Sequence, residues 1–327
     1  MFIVHSINKS LEKLLESDEK VILFGEDLVD PYGGAFKVTK GLSTKFPDRV
    51  LNMPISELSI TGFGIGLSMS GYKPIIEIMF GDFITLATDQ IINHLSKFYY
   101  MLDNQKPKSF ILRTPMGGGR GYGPTHSQSL EKIFFGIPGI NILAINPFLD
   151  AGCLYEKAVG NETPSIIIEN KLLYSEENQI LNNSKKISFT KQFFPTAIII
   201  NDANNHPDIT IVSYGRMAKI CYEISEKLHE EGLNCELIVP SIISPIDFEP
   251  INNSIYKSKI LITVEEGYAN FGFGSEIISK MQNNFSFKSL RIGLGDHIIY
   301  NSRILEDKVL PNKKTIYDKI ISFLVED

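Results

Sequence analysis

The chain is predicted to fold as an α/β protein with two doubly wound domains, and three observations carry that prediction. Its 327 residues correspond to two domains at roughly 150 residues each. Short β-branched runs alternate with amphipathic stretches over most of the length, the pattern of strands separated by helices. Several of those runs are apolar at consecutive positions, as parallel strands covered on both faces require.

The first domain is read over residues 1–175. It opens with a helix over 6–17, for which Ser6 or Asn8 is the candidate cap. Strands follow at 21–25, 50–55, 74–80, 109–113, 140–145 and 165–168. A small-residue helix spans 57–70, and a long helix over 82–102 has Asp82 as a first-turn acid. Residues 176–204 are polar and turn-rich around one short strand at 196–200, and read as a surface linker. The second domain, 205–327, has strands at 208–214, 235–239, 259–265 and 289–293, with helices at 217–231, 273–282 and 314–325.

Composition narrows the function classes. Apolar residues make up 43% and charged residues 21%, so neither disorder nor a fibre is indicated. With 32 basic and 38 acidic side chains the net charge is −6, which argues against binding a phosphate backbone. Cys153, Cys221 and Cys235 are odd in number and lack CxxC spacing, so no disulfide framework or zinc site in this chain is expected. No apolar run reaches membrane-spanning length, and the start MFIVHSINKS turns polar after four residues. The expectation is a cytoplasmic chain without a signal peptide.

Two glycine clusters invite nucleotide readings and fail them. GFGIG at 62–66 puts Leu67 or Met69 where the dinucleotide fingerprint needs its last glycine, which leaves close helix packing. PMGGGRGYG at 115–123 places Pro124 where a phosphate loop needs lysine. A flexible active-site loop or a plain surface turn both remain open there.

Individual residues also carry two readings each. Glu57 could be a first-turn carboxylate that merely complements a helix dipole. His126 could be a general acid or a polar loop residue. Asp82 and Asp89, seven apart, read as capping and solvated positions. Glu265-Glu266 closes a predicted strand, where either a ligand site or a solvated turn is expected.

Taken in order, the motifs resemble one family. They are GED (25–27), GGAFKVTKGL (33–42), PISE (54–57), KPIIEIMFGDF (73–83), RTPMGGG (113–119), HSQSLE (126–131) and ENKLLY (169–174). DITIVSYGRM (208–217), SPID (244–247) and VEEGYANFGFGSEI (264–277) continue the series. The chain resembles the β subunit of the thiamine-diphosphate-dependent 2-oxo acid dehydrogenases, the decarboxylating component of the pyruvate, branched-chain and acetoin complexes. That resemblance implies a transketolase-like pyrimidine-binding domain followed by a transketolase C-terminal-like domain. It implies that Glu57 hydrogen-bonds a ring nitrogen of the cofactor's aminopyrimidine, favouring the imino tautomer that accepts the thiazolium proton. Ile55, Met79 and Phe83 are implied walls of the pyrimidine pocket, with Phe83 stacked on the ring. Glu26 is implied as an acid close to that pocket. His126 is implied to face the substrate and the incoming lipoyl group.

No GDG…N pattern occurs in this chain. The resemblance therefore implies that Mg2+ and the diphosphate are held by a separate α subunit, two α pairing with two β. It also implies β–β association through the C-terminal domain, docking to a lipoyl acyltransferase core, and K+ as a candidate ion where the usual acid is Asn161. Two strings depart from the family pattern: Val239-Pro240-Ser241 replaces Asp-Leu-Arg, and DHIIYNS (296–302) replaces a proline-rich string. Both are read as bearing on assembly. The activity implied is oxidative decarboxylation of a pyruvate-like or acetoin-type 2-oxo acid with acyl transfer to a lipoyl carrier. Two alternatives stay open: a transketolase-like split enzyme with a non-lipoyl acceptor in a biosynthetic pathway, and a non-catalytic scaffold.

Overall fold

The computed structural model describes residues 1–102, 108–177, 187–284 and 286–326. They form two compact units that are not contiguous in sequence. The first comprises Met1–Met116, Ile133–Ile145 and Leu149–Asn178, and the second Gly117–Lys132, Asn146–Phe148 and Gln179–Asp327.

In the first unit the strands are β1 (Val21–Gly25), β2 (Val50–Asn52), β3 (Lys73–Glu77), β4 (Ile111–Met116), β5 (Asn141–Ala144) and β6 (Ser165–Asn170). They pair in parallel in the order β5-β6-β4-β3-β1-β2. Every residue of β4, β5 and β6 is buried. The uninterrupted apolar runs of the sequence report this two-sided cover. The helices are α1 (Ile3–Ser17), α2 (Leu42–Lys45), α3 (Glu57–Met69), α4 (Phe98–Met101) and α5 (Ala151–Gly160).

Helix α1 starts earlier than its apparent cap residues. Phe2 is its N-cap, while Ser6 donates to Asp150 Oδ1 at 2.9 Å and Asn8 donates to the Val38 carbonyl at 2.7 Å. Those side chains serve tertiary contacts, and Ile3, Ile7, Leu11 and Leu15 form the buried stripe. The long helix expected over 82–102 is broken into a 3-10 segment Gly81–Ala87, a π-helical turn Gln90–Leu95 and α4. Hydroxyls compete with the ladder: Thr85 donates to the Asp82 carbonyl, Thr88 to Thr85 and Ser96 to Ile92, at 2.7–2.9 Å. Asp82 is buried rather than solvated. Asp89 is exposed and accepts from Asn93 at 2.8 Å.

Gly64 shows why the 62–66 cluster exists. A Cβ there would lie 2.9 Å from Phe110 and 3.1 Å from Ile76, so α3 can lie against β3 only with glycine at this position. Helix α5, which the sequence reading missed, is capped by Asp150, whose side chain accepts from Cys153 N.

The second unit contains β7 (Ile187–Phe189), β8 (Thr196–Ile200), β9 (Ile209–Ser213), β10 (Cys235–Pro240), β12 (Ile260–Tyr268) and β13 (Lys288–Leu294) in one sheet. Strand β11 (Ile242–Ser244) stands outside that sheet. The order is β13-β12-β9-β10-β8-β7, parallel from β13 to β10 and antiparallel for β8 and β7. The second half of the expected linker is thus edge structure of this sheet, while residues 178–186 of that linker lie outside the described residues. The helices are α6 (Gly215–Glu230), α7 (Glu249–Ser258), α8 (Phe273–Gln282), α9 (Arg303–Val309) and α10 (Lys313–Val325). The core gathers Ile211, Leu237, Ile262, Ile292, Ile224 and Ile316 between sheet and helices.

Cys153, Cys221 and Cys235 are free, and burial pushes the latter two thiols up to about 12. Among the described residues no helix is long and apolar enough to cross a membrane.

Candidate active site

In open parallel sheets, ligands gather at the carboxyl ends of the strands. Here β1 ends in Gly25 and delivers Glu26, β2 runs through Met53-Pro54-Ile55-Ser56 into Glu57, and β3 delivers Ile78 to Phe83. Strand β1 lies between β2 and β3, so three adjacent edges present these residues together. Asn52 ties the loops: its Oδ1 accepts from Leu28 N at 2.6 Å and Val29 N at 3.1 Å, and Met53 N donates to the Gly25 carbonyl at 2.7 Å.

Glu57 is the first residue of α3 and only 5% exposed. Carboxylates are seldom this buried, so its burial weighs for a chemical role. Glu26 is 3% exposed, and its Oε1 has no hydrogen-bond partner among the described residues. Burial, and then the charges of Glu57, Asp27 and Glu77, push its carboxyl up from 4.5 to about 7. Met79 and Phe83 are half-buried, and Phe83 stands edge-on to Phe80 at 6.4 Å, as Phe80 does to Phe36 at 5.8 Å. Ile55 differs from the other expected walls: it is 77% exposed, so this chain alone does not enclose it.

The raised Glu26 carboxyl has a measurable consequence. The folded chain holds this proton more tightly than the unfolded chain, so ionisation of Glu26 lowers stability as pH rises from 4.5 towards 7, and fully above that. Glu26→Gln removes this cost. The variant is expected to gain stability over the parent from about pH 5 to pH 8 by up to about 3 kcal/mol, read by thermal melts at both values. An equal margin at both pH values would contradict the buried, charge-coupled acid.

Beneath this edge lies a buried charge network that the sequence reading did not single out. Arg113 on β4 is fully buried. Its Nε and Nη2 donate to the two oxygens of Glu169 on β6 at 2.7 and 2.6 Å, and Nη1 donates to Glu77 on β3. Tyr155 and Tyr174 both donate to Glu169. Burial opposes the guanidinium charge, but Glu169 and Glu77 more than offset it and hold the proton firmly. Glu77 is pushed up to about 7 by burial, with Arg113 working against the rise. The available signal was charge inside apolar strands: Arg113 in SFILRTP and Glu169 in SIIIEN.

His126 lies on the segment Gly117–Lys132, which belongs to the second unit. It is half-buried, and its Nδ1 is 3.1 Å from Thr125 Oγ1. The structure therefore brings Glu26, Glu57, Met79 and Phe83 to one sheet edge and places His126 on a separate body. Glu265 and Glu266 form neither a solvated turn nor a free ligand site. Both are buried; Glu265 accepts from Phe273 N and Gly274 N at 3.0 Å, and Glu266 from Gly118 N at 2.6 Å. Burial pushes Glu265 up to about 7 against those two donors. Among the described residues no group of three or more His, Cys, Asp or Glu side chains could hold a metal ion.

The parallel sheet with buried acids at its carboxyl edge and the mixed sheet that follows fall within two family descriptions of the transketolase type. The family description "Transketolase, pyrimidine binding domain" matches residues 3–177, and "Transketolase, C-terminal domain" matches residues 200–316. The fold recurs in a split-gene transketolase solved as an inactive β4 tetramer, with a TM-score of 0.78 over 98% of each chain at 20% identity. Within this type, the chain is 33% identical over 317 residues to the human mitochondrial pyruvate dehydrogenase E1 component subunit beta, covering 95% of this chain and 87% of that one. It is 35% identical over 289 residues to the Arabidopsis thaliana subunit beta-1, covering 88% and 78%, and 32% identical over 323 residues to the Saccharomyces cerevisiae subunit, covering 97% and 87%. The chain belongs to the transketolase-like, thiamine-diphosphate-dependent family of pyruvate dehydrogenase E1 β subunits.

Proposed function

We propose that this chain is the β subunit of a 2-oxo acid dehydrogenase decarboxylating component that works with a separate α subunit, two of each. The complex oxidatively decarboxylates a pyruvate-like or acetoin-type 2-oxo acid and passes the acyl group to a lipoyl carrier. The observation that carries this reading is the burial of Glu57 and Glu26 at one strand edge, in a chain related along 95% of its length to pyruvate dehydrogenase β subunits.

The residues present fit half of a thiamine diphosphate site. An unpartnered oxygen of Glu26, the buried Glu57 and the half-buried faces of Met79 and Phe83 offer acids and apolar walls to an aminopyrimidine. When bound, the cofactor supplies the carbon nucleophile and the electron sink for decarboxylation. This chain's part is to hold and move protons. Glu57 would hold or give up a proton toward a pyrimidine nitrogen, Phe83 would pack against the ring, and Glu26, its carboxyl pushed up to about 7, would lessen the negative charge beside Glu57. His126 orients the substrate carboxylate or gives a proton during acyl transfer. Mg2+ and the diphosphate are assigned to the α subunit, whose surface also closes over the exposed Ile55.

The test is co-expression with an α-type chain carrying a GDG…N pattern. The purified complex is expected to bind thiamine diphosphate, and to turn over pyruvate with a lipoylated domain as acceptor. Turnover with an aldehyde acceptor and none with the lipoyl domain would select the split transketolase-like alternative, and failure to bind the cofactor would select the scaffold.

A further inference from the structure

Residues 117–132 interrupt the first unit in sequence but belong to the second in space. The glycines of GGGRGYG explain how the loop is shaped, with Gly117, Gly119, Gly121 and Gly123 all at positive φ between 72° and 92°. A backbone so free of side chains needs anchors from elsewhere to hold one conformation. Two carboxylates of the second unit supply them. Glu266, on β12, accepts from Gly118 N at 2.6 Å, and Glu306, on α9, accepts from Gly121 N at 2.6 Å.

Glu306 is the more constrained of the two. It is fully buried, and its second oxygen, Oε1, has no hydrogen-bond partner among the described residues. That oxygen lies 2.7 Å from where a Cβ on Gly118 would stand, and Leu310 Cδ1 lies 2.5 Å from the same point, so Glu306 and Leu310 reach these positions only beside a glycine. The segment before α9 continues the contact: a Cβ on Gly123 would meet Asn301 at 3.2 Å, and one on Gly121 would meet Arg303 N at 3.2 Å. The string DHIIYNS, expected to bear on assembly, therefore ends against this loop. Past it, Gly117 N donates to the Gln128 carbonyl at 3.2 Å and His126 N to the Gly123 carbonyl at 3.3 Å, so the anchored backbone leads directly to His126.

We infer that Glu306 is a positioning residue that, together with Glu266, anchors the glycine loop and thereby places His126. The catalytic half of this inference rests on the role proposed above for His126; the anchoring half does not. Arg120 is an exposed tryptic site within the loop, and cleavage after it requires local opening of the backbone.

In the full chain, Glu306→Ala is expected to speed tryptic cleavage at Arg120 by about tenfold, the loss of a charge-assisted hydrogen bond, while Glu306→Gln, which keeps an acceptor oxygen, stays within about threefold. Gly118→Ala, whose methyl would meet Leu310 Cδ1 at 2.5 Å and Glu306 Oε1 at 2.7 Å, crowds the same anchor, is expected to raise cleavage as Glu306→Ala does, and serves if that variant does not fold. In the reconstituted α–β enzyme, Glu306→Ala is expected to lower kcat about tenfold while leaving the KM for thiamine diphosphate within about twofold, because the pyrimidine pocket belongs to the other unit. Added to His126→Ala it is expected to cost nothing further. Unchanged cleavage in Glu306→Ala would overturn the anchor. Additive losses in the double variant, or normal turnover of His126→Ala, would overturn its action through His126 whatever the cleavage result.

Discussion

Glu57→Gln in the complete α–β enzyme is expected to lower turnover by about 10²–10⁴-fold, the range associated with loss of a positioned acid–base group. Glutamine keeps the size of the side chain and can still meet a ring nitrogen, but it cannot exchange the proton. Stability should not fall, because the substitution removes a buried carboxylate that faces a second acid, Glu26, across the same strand edge. Turnover and a thermal melt on the same preparation separate the two effects. Near-normal turnover in a folded, cofactor-bound complex would dismiss Glu57 as the acid of this site. A loss of turnover accompanied by a large drop in melting temperature would instead make its role structural.

The largest stability effect is expected at Arg113. Arg113→Met leaves Glu77 and Glu169 buried without their cation, and breaking a buried ion pair from one side costs about 3–5 kcal/mol. The loss should depend on pH in a defined direction. Without the guanidinium, the Glu77 carboxyl, already pushed up by burial, rises further above its unfolded value, so the variant loses stability as pH increases towards and beyond 7. Below about pH 5 Glu77 can bind a proton and much of the loss should be recovered. Replacing Glu77 and Glu169 together with Arg113 by apolar residues is expected to restore most of the stability at neutral pH. Melts of the single and triple variants at pH 5 and pH 8 check each step. A pH-independent loss would mean that packing rather than charge decides the site.

The Arg113 network and the Glu57 edge differ in how they are written in the sequence. Glu57 sits between a strand and a helix, a position that equally suits an acid complementing the helix dipole, and its proposed role comes from the resemblance carried by PISE. Arg113 and Glu169 lie within RTPM and ENKLLY, yet their pairing depends on β4 and β6 being neighbours in register. No local pattern states which strands are adjacent. The broken helix at 81–101 was misread for a related reason: its period and apolar content suit a helix, whereas Thr85, Thr88 and Ser96 divert backbone carbonyls through their hydroxyls. Ser6 and Asn8 read as caps and proved to be tertiary donors, because a short polar side chain serves either purpose equally well.

By itself the sequence determined the two α/β series and most strand positions. These follow from periodicity and from short motifs, which act over a few residues of chain. Only the tertiary structure decided that the glycine loop with His126 belongs to the second unit, that Glu265 and Glu266 hold backbone N–H groups rather than face water, and that Arg113 is shared by Glu77 and Glu169. Each of these joins residues between 8 and 185 positions apart through a hydrogen bond. Such bonds are selected by burial, where an unpaired charge or N–H costs far more than it does in water, and burial is a property of the folded chain.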